Sequence, residues 1–101
     1  MKSYTVAVVG ALGLVGSTMI RILEEYDFPV GQLKALEHRS LTGAPVAFKG
    51  QLIYTEEARP EAFDSIDIAL FATGEEVSSV LAPEAARRGA VAIDNSRHFR
   101  L

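Results

Sequence analysis

Along the first part of the chain, the spacing of apolar positions changes from one typical of a strand to one typical of a helix. Residues 4–9 form a β-branched apolar run that ends at Gly10, as a buried strand would. Residues 14–26 carry apolar side chains at helical spacing, and residues 32–37 predict a second strand. Four apolar side chains are predicted to share one face of the helix: Val15, Met19, Ile22 and Leu23.

The middle of the chain predicts an insertion. Residues 38–43 are polar and rich in turn-forming residues, which indicates a loop. Residues 46–48 and 51–54 flank Lys49-Gly50, and this pattern predicts a β-hairpin with a two-residue turn.

The last third of the chain repeats the first pattern. After a short helix or turn at residues 60–65, the apolar run 66–72 predicts a strand. Residues 77–88 predict a helix that Gly89 ends, and residues 90–93 predict a final strand. Three side chains are expected on the inner side of this helix: Val80, Leu81 and Ala85.

Two successive strand–helix–strand units predict an α/β fold. Because crossovers between parallel strands are right-handed, the expected architecture is a Rossmann-type, doubly wound, mostly parallel sheet with a small hairpin-like insert. A chain of 101 residues can bury enough surface for one core, so residues 1–101 are predicted to form one dinucleotide-binding domain.

Composition limits the classes of partner. The net charge of −3 provides no basic field for nucleic acid or an anionic membrane. There is no cysteine, which excludes disulfides and a cysteine nucleophile within these residues and suits a cytoplasmic protein. Lys2 and the apolar run after it resemble a short secretory signal, but the glycines within that run favour another explanation. No stretch approaches the ~20 apolar residues of a membrane span.

The glycines at positions 10, 13 and 16 lie between the first strand and the first helix. In that context Gly10 allows a tight turn, Gly13 lets a phosphate approach the backbone, and Gly16 lets the helix lie close to the strand. The N–H groups at a helix start bind anions without a basic side chain. The spacing G-x-x-G-x-x-G differs from the commoner G-x-G-x-x-G, and a tight turn without a ligand is the alternative.

Residues 37–40 follow the second strand, where the adenosine ribose lies in such folds. An acid there binds the 2′-hydroxyl of NAD, whereas an arginine accommodates the 2′-phosphate of NADP. Arg39 and Ser40 favour NADP, and Glu37 favours NAD if it faces the ribose. We expect NADP because two donors outweigh one acid, with a solvated surface loop as the alternative. His38 has no partner at metal-binding spacing and is expected to be a solvated loop residue.

Thr73 and Gly74 follow the strand predicted at residues 66–72. Small residues at the carboxyl end of a strand leave space in the crevice where ligands bind to open α/β sheets. The alternative is that Thr73 caps the next helix and Glu75 and Glu76 favour its first turn. The last polar stretch, residues 94–100, follows a buried strand and could meet an anionic substrate or form an ordinary terminal surface.

Taken in order, these stretches resemble the amino-terminal domain of aspartate-semialdehyde dehydrogenase over essentially the whole chain. The resemblance rests on Val-Ala-Val-Val-Gly-Ala-x-Gly-x-Val-Gly, on Arg39-Ser40, on Phe-Ala-Thr-Gly at residues 71–74 and on Asp-Asn-Ser-x-x-Phe-Arg at residues 94–100. That last stretch is the most specific, because the glycines fit many dehydrogenases. The family reduces aspartyl β-phosphate to the semialdehyde, reversibly, with NADPH, in amino-acid biosynthesis.

The resemblance implies a role for each matched residue. It implies that residues 12–15 contact the pyrophosphate, that Arg39 and Ser40 hold the 2′-phosphate, and that Arg100 holds the substrate phosphate. The candidate cofactor-binding residues are Gly10, Leu12, Gly13, Leu14, Val15, Arg39, Ser40, Thr73, Gly74 and Asn95. The implied partners are NADP and a small anionic substrate in a homodimeric enzyme, with no nucleic acid, membrane or metal.

The chain departs from the family at two positions. The family usually has threonine where Leu12 stands, so a hydroxyl is lost while backbone N–H contacts are expected to remain. Arg97 stands where a small serine is common. The family's acyl-forming cysteine and acid–base histidine have no counterpart before Leu101, so the 101 residues alone are expected to bind cofactor without catalysis. The rival interpretations are an N-acetyl-γ-glutamyl-phosphate reductase and a non-catalytic dinucleotide-binding or assembly module.

Overall fold

A computed structural model describes residues 2–94 of the chain. The predicted strands and α-helices are found in the predicted order, and one short strand, β5, is present in addition. Their bounds are β1 (Tyr4–Val9), α1 (Leu14–Glu25), β2 (Val30–Glu37), β3 (Pro45–Phe48), β4 (Gln51–Tyr54), β5 (Glu56–Glu57), β6 (Ile68–Phe71), α2 (Glu75–Arg87) and β7 (Val91–Asp94). Two 3-10 turns lie at Arg39–Leu41 and Pro60–Phe63. None of the helices within residues 2–94 is long and apolar enough to cross a membrane.

Five strands form a parallel sheet in the order β5-β2-β1-β6-β7. The chain leaves β1 towards β2 on one side and later returns to place β6 on the other side of β1. The predicted doubly wound α/β fold is therefore confirmed. The direction of winding reverses between β1 and β6, and the crevice outside this reversal is where open α/β sheets bind ligands.

The predicted hairpin is also confirmed. β3 and β4 pair antiparallel, joined by Lys49 and Gly50 with φ of +49° and +79°. Positive φ at both central residues is the geometry that matches the twist of paired strands. Phe48 at the end of β3 is buried and packs into the core on one face of the large sheet, with Ile20 of α1. The insert thus closes that face of the core.

The second core lies on the opposite face of the sheet, beneath α2. Phe63 stacks on Phe71 with ring centroids 5.6 Å apart, and both side chains are fully buried. Leu81 and Ala85 of α2 pack against them. Each helix therefore covers one face of the sheet, as the doubly wound pattern requires.

The inner faces of the helices match the prediction in part: Leu81 and Ala85 are buried and Leu23 packs against a core, but three other predicted positions are exposed. In α1 the buried row contains Gly16 and Ile20, while Val15 and Ile22 are exposed. The reason is the absence of a side chain at Gly16, which lets that row of the helix approach the sheet most closely. In α2 the inner row is Ser78, Leu81 and Ala85, and Val80 is 63% exposed.

Several boundaries also differ. β2 begins two residues earlier than predicted, at Val30, and β6 is confined to Ile68–Phe71. α2 already begins at Glu75. The edge strand β5 consists of two glutamates paired with the end of β2, and two charged residues carry no strand pattern in the sequence.

Candidate functional site

The corners after β1 and β6 touch each other at the switch point of the sheet. The N–H of Ala72 donates to the carbonyl of Val9 over 2.9 Å. A Cβ on Gly10 would lie 2.9 Å from the Ala72 carbonyl oxygen and 3.0 Å from Cγ2 of Thr73. The structure thus brings together the glycine corner and the Thr73-Gly74 corner, which the sequence placed at one edge.

Two of the three motif glycines are required by the fold. Gly10 has φ +86°, a conformation that L side chains rarely adopt. A Cβ on Gly16 would lie 2.0 Å from the Gly10 carbonyl oxygen, so α1 can lie against this corner only with glycine there. At Gly13, in contrast, φ is −76° and the nearest atom to a Cβ would be 3.5 Å away. Packing and backbone geometry do not explain Gly13, and the space beside it is open for a ligand.

The amides of the glycine corner fall into two groups. The Leu12 N–H donates to Oε2 of Glu37 over 2.7 Å, and the Gly13 N–H donates to the Gly10 carbonyl over 3.1 Å. The first helical acceptor, the Gly13 carbonyl, is used by Ser17. Leu14, Val15 and Gly16 precede Ser17 and have no acceptor within the helix, and of these three Leu14 and Val15 are exposed whereas Gly16 is buried. The N–H groups of Leu14 and Val15 are the ones left for an anion.

Leu12 therefore differs from the expectation in one respect. Its backbone N–H was expected to remain for the pyrophosphate, but this amide is already bonded to Glu37, because that carboxylate lies buried behind the corner. The Leu12 side chain is 39% exposed and does not fill the corner. The opening above Leu14 and Val15 is thus retained.

The two helices that start at this edge differ in charge. The first turn of α1 contains no acidic residue, and its N-cap Gly13 has no side chain that could accept a hydrogen bond. The first turn of α2 contains Glu75 and Glu76. Carboxylates at a helix start interact with its positive end and repel a further anion. The start of α1 is therefore the better place for a phosphate group.

The sequence did not decide which group the Glu37 carboxylate contacts. Its side chain is 9% exposed, and its carboxylate accepts from Leu12 across the end of β2 and the corner after β1. Glu37 is therefore not a solvated loop charge, and one of its two carboxylate oxygens is bonded within the protein. The one signal for this contact in the sequence is an acidic residue at the end of a predicted strand.

Arg39 and Ser40 lie in the 3-10 turn directly after β2 and are exposed. Within residues 2–94 the Arg39 guanidinium forms no salt bridge, whereas Arg21, Arg59, Arg87 and Arg88 each pair with a carboxylate. An exposed, unpaired guanidinium at the carboxyl end of a strand suits an anionic ligand.

His38 is the residue that organises this turn. Its Nδ1 accepts from the Ser40 N–H over 3.1 Å and lies 2.9 Å from the Ser40 hydroxyl oxygen. The expectation of an exposed loop residue is confirmed, and the structure adds a hydrogen bond within the turn that was not predicted. A histidine that bonds to the residue two positions later is not among the common turn signals, and so the sequence pattern did not reveal it.

The capping alternative for Thr73 is not what the structure shows. Gly74 is the N-cap of α2, and no side chain bonds to the first amides of that helix as a cap. The Thr73 hydroxyl instead lies 3.2 Å from the hydroxyl of buried Ser78. Gly74, like Gly13, has an ordinary φ of −65° and no neighbouring atom within 4 Å of a would-be Cβ. Both helix starts thus leave open backbone at the crevice.

Two predicted site residues, Asn95 and Arg100, lie outside the described residues. Within residues 2–94 there is no group of three or more histidine and carboxylate side chains that could hold a metal ion.

The parallel sheet, its reversal between β1 and β6, and the glycine corner at the start of α1 define a Rossmann-type dinucleotide-binding domain. The sequence matches the family described as semialdehyde dehydrogenase, NAD binding domain, over residues 5–101. The chain belongs to that family.

Relatives and solved structures agree with this assignment. The chain is 48% identical to the aspartate-semialdehyde dehydrogenase of Bacillus subtilis over 95% of its own length and 28% of that protein. A crystal structure of aspartate-semialdehyde dehydrogenase II from Vibrio cholerae, complexed with ASA, superposes with a TM-score of 0.92 at 38% identity, over 97% of this chain and 32% of that one. The Candida albicans enzyme, solved with NADP, has a TM-score of 0.76 at 17% identity over 97% and 31% of the two chains, which shows the shared fold alone. The chain thus spans about a third of the length of these proteins.

Proposed function

We propose that this chain is the NADP-binding domain of an aspartate-semialdehyde dehydrogenase, a cytoplasmic homodimer that reductively dephosphorylates aspartyl β-phosphate. The observation that carries the cofactor assignment is the unpaired, exposed guanidinium of Arg39 beside Ser40 at the end of β2. This is the position at which an arginine accommodates the 2′-phosphate of NADP. Residues 1–101 would form one domain of that enzyme.

The described residues supply two parts of such a site. The amides of Leu14 and Val15 at the start of α1 would receive the pyrophosphate, since a helix start attracts phosphate without a basic side chain. Arg39 would bind the 2′-phosphate through its planar fork of N–H donors. The bound nicotinamide would supply hydride chemistry, and the protein would fix its position.

The acid at the end of β2 does not oppose this assignment. A carboxylate free to face the ribose would favour NAD. Oε2 of Glu37 instead accepts from the Leu12 N–H, and the side chain is largely withdrawn from solvent. The acidic group is thus engaged in shaping the glycine corner, and Arg39 is exposed in the turn that follows.

In the proposed enzyme the substrate is a small anionic acyl phosphate, and Arg100 would bind its phosphate group. The acyl-forming cysteine and the acid–base histidine would come from residues after Leu101. The similarity to aspartate-semialdehyde dehydrogenases favours this activity over that of an N-acetyl-γ-glutamyl-phosphate reductase. It also favours an enzyme over a non-catalytic module.

Calorimetric titration of the purified chain with NADP and NAD tests the cofactor assignment. Arg39→Ala should weaken NADP binding by about 1.5–3 kcal/mol, the range for a hydrogen bond to a charged group, and should leave NAD binding unchanged. Arg87→Ala is the matched control, because Arg87 is also exposed but lies in the last turn of α2, remote from the glycine corner. Tighter binding of NAD than of NADP, with no effect of Arg39→Ala on NADP, contradicts the assignment.

A further inference from the structure

We propose that His38 is a positioning residue for cofactor selection: its imidazole holds the turn that presents Arg39 and Ser40 to the 2′-phosphate. This inference rests on the proposed binding of NADP. His38 belongs to neither the glycine motif nor the Arg39-Ser40 pair. It would act on the cofactor indirectly, by positioning Arg39 and Ser40.

The ring of His38 bonds to the backbone of its own turn. Nδ1 accepts from the Ser40 backbone N–H over 3.1 Å. A ring nitrogen accepts such a bond through its lone pair. The contact links residue i to the amide of residue i+2, which is the arrangement that asparagine and aspartate side chains make in turns.

The other hydrogen bonds of the turn act mainly on its end. It is a three-residue 3-10 turn, closed by Leu41 N–H to the His38 carbonyl over 2.8 Å and by Thr42 N–H to the Arg39 carbonyl over 3.4 Å. The hydroxyl of buried Thr55 donates to the Leu41 carbonyl over 2.6 Å, and the Thr42 hydroxyl donates to the Arg39 carbonyl over 3.1 Å. The three residues of the turn are exposed and belong to neither hydrophobic core, so the His38 bond is the side-chain bond that holds its start.

The same contact leaves Ser40 able to bind a ligand. The Ser40 hydroxyl oxygen lies 2.9 Å from Nδ1 and can donate to it beside the Ser40 N–H. Nδ1 has one lone pair, so the N–H and the hydroxyl share it. When the hydroxyl donates to a phosphate oxygen instead, the N–H keeps the bond that holds the turn. Removal of the imidazole loosens Arg39 and Ser40 together.

Loss of the His38 bond should affect the binding of NADP alone. NAD lacks the 2′-phosphate and would be bound by the amides at the start of α1, which His38 does not touch. A defect in the turn should therefore weaken the binding of NADP and not that of NAD. A general loss of folding would weaken the binding of both.

The test is calorimetric titration of three variants with NADP and with NAD. His38→Ala removes the acceptor, His38→Asn replaces it with one of the correct reach, and His38→Gln places the same amide one methylene too far away. We expect His38→Ala and His38→Gln to weaken NADP binding about five-fold, as for loss of one hydrogen bond. His38→Asn should restore wild-type affinity within about two-fold, and all three should bind NAD as the wild type does.

Three results would overturn this inference: His38→Ala binds NADP as tightly as the wild type, His38→Asn is as weak as His38→Ala, or NAD binding falls as much as NADP binding. Arg39→Ala, measured beside them, separates the two proposals. If Arg39→Ala weakens NADP binding and His38→Ala does not, only the role of His38 is wrong. If Arg39→Ala also has no effect, the proposed NADP site itself is wrong.

Discussion

The carboxylate of Glu37 accepts a hydrogen bond of 2.7 Å from the backbone N–H of Leu12. This bond joins the end of β2 to the corner between β1 and α1, so the corner proposed for adenosine and the corner proposed for pyrophosphate share one contact. The adjacent Gly10 N–H is bonded to the Leu36 carbonyl over 2.9 Å. Backbone and side chain of β2 thus hold the glycine corner together.

Glu37→Ala should weaken the binding of NADP and NAD to the same extent. The substitution leaves the Leu12 N–H without its acceptor and frees the corner that carries the pyrophosphate amides. Loss of a buried partner costs about 1–3 kcal/mol, so the thermal midpoint should fall by at least about 4 °C. Calorimetric titration and a thermal melt of the purified chain measure the two effects.

Glu37→Gln is the control, because the carboxamide oxygen can still accept from Leu12. It should restore most of the stability that Glu37→Ala loses. If both variants melt like the wild type, the bond does not support the corner. If Glu37→Ala selectively weakens NAD binding, Glu37 faces the ribose.

Gly16→Ala should destabilise the fold. The added Cβ would lie 2.0 Å from the Gly10 carbonyl oxygen, so α1 would have to move away from the corner. Overpacking of this kind costs about 1–3 kcal/mol or more. Urea denaturation should show a lower midpoint with an unchanged slope. A midpoint equal to that of the wild type would mean that the helix can shift without cost.

Gly13→Ala should weaken dinucleotide binding while the fold stays nearly as stable as in the wild type. Its Cβ would meet nothing closer than 3.5 Å, and alanine in place of an N-cap glycine costs at most about 1 kcal/mol. The methyl group would occupy the space above the amides of Leu14 and Val15. We expect at least about ten-fold weaker binding of both dinucleotides by calorimetry, as for loss of one hydrogen bond to a charged group. Wild-type affinity in this variant would place the pyrophosphate elsewhere.

Ile93→Lys should reduce self-association of the 101-residue chain. β7 is an edge strand of the sheet in the described residues, and its Val91 and Ile93 are 61% and 50% exposed. Ile93 also lines an apolar groove of about 530 Å³ with Leu14 and Ile22 of α1. An exposed apolar edge favours pairing with another chain, and a lysine there opposes it. Sedimentation velocity over a range of concentrations measures the effect, and a wild-type chain that stays monomeric throughout would contradict the premise.

The architecture and the glycine corner could be predicted from the sequence, because both depend on local patterns. The period of the apolar residues separated strands from helices, and glycines between a strand and a helix have few explanations. Gly10 and Gly16 have the steric roles assigned to them, and Lys49-Gly50 forms the expected hairpin turn.

The contacts of single polar side chains could not be predicted in the same way. Glu37 bonds to an amide 25 residues away in the chain, and no periodicity encodes such a partner. The buried rows of the helices shifted because the small residues Gly16 and Ser78 lie innermost, whereas hydrophobicity alone favoured Val15 and Val80. Close packing of the backbone decided these faces, and it is a tertiary property.

The central position of β1 has a consequence for the order in which the chain folds. Its neighbour β6 is distant in sequence: the Thr5 N–H bonds to the Asp67 carboxylate, 62 residues further along. Such a contact closes a long loop, and its entropic cost delays it relative to the local contacts of β1, α1 and β2. The glycine corner can therefore assemble early, but the crevice acquires its second wall only when β6 docks. A nascent chain that ends before Ile68 would lack that wall, whatever the quality of its glycine motif.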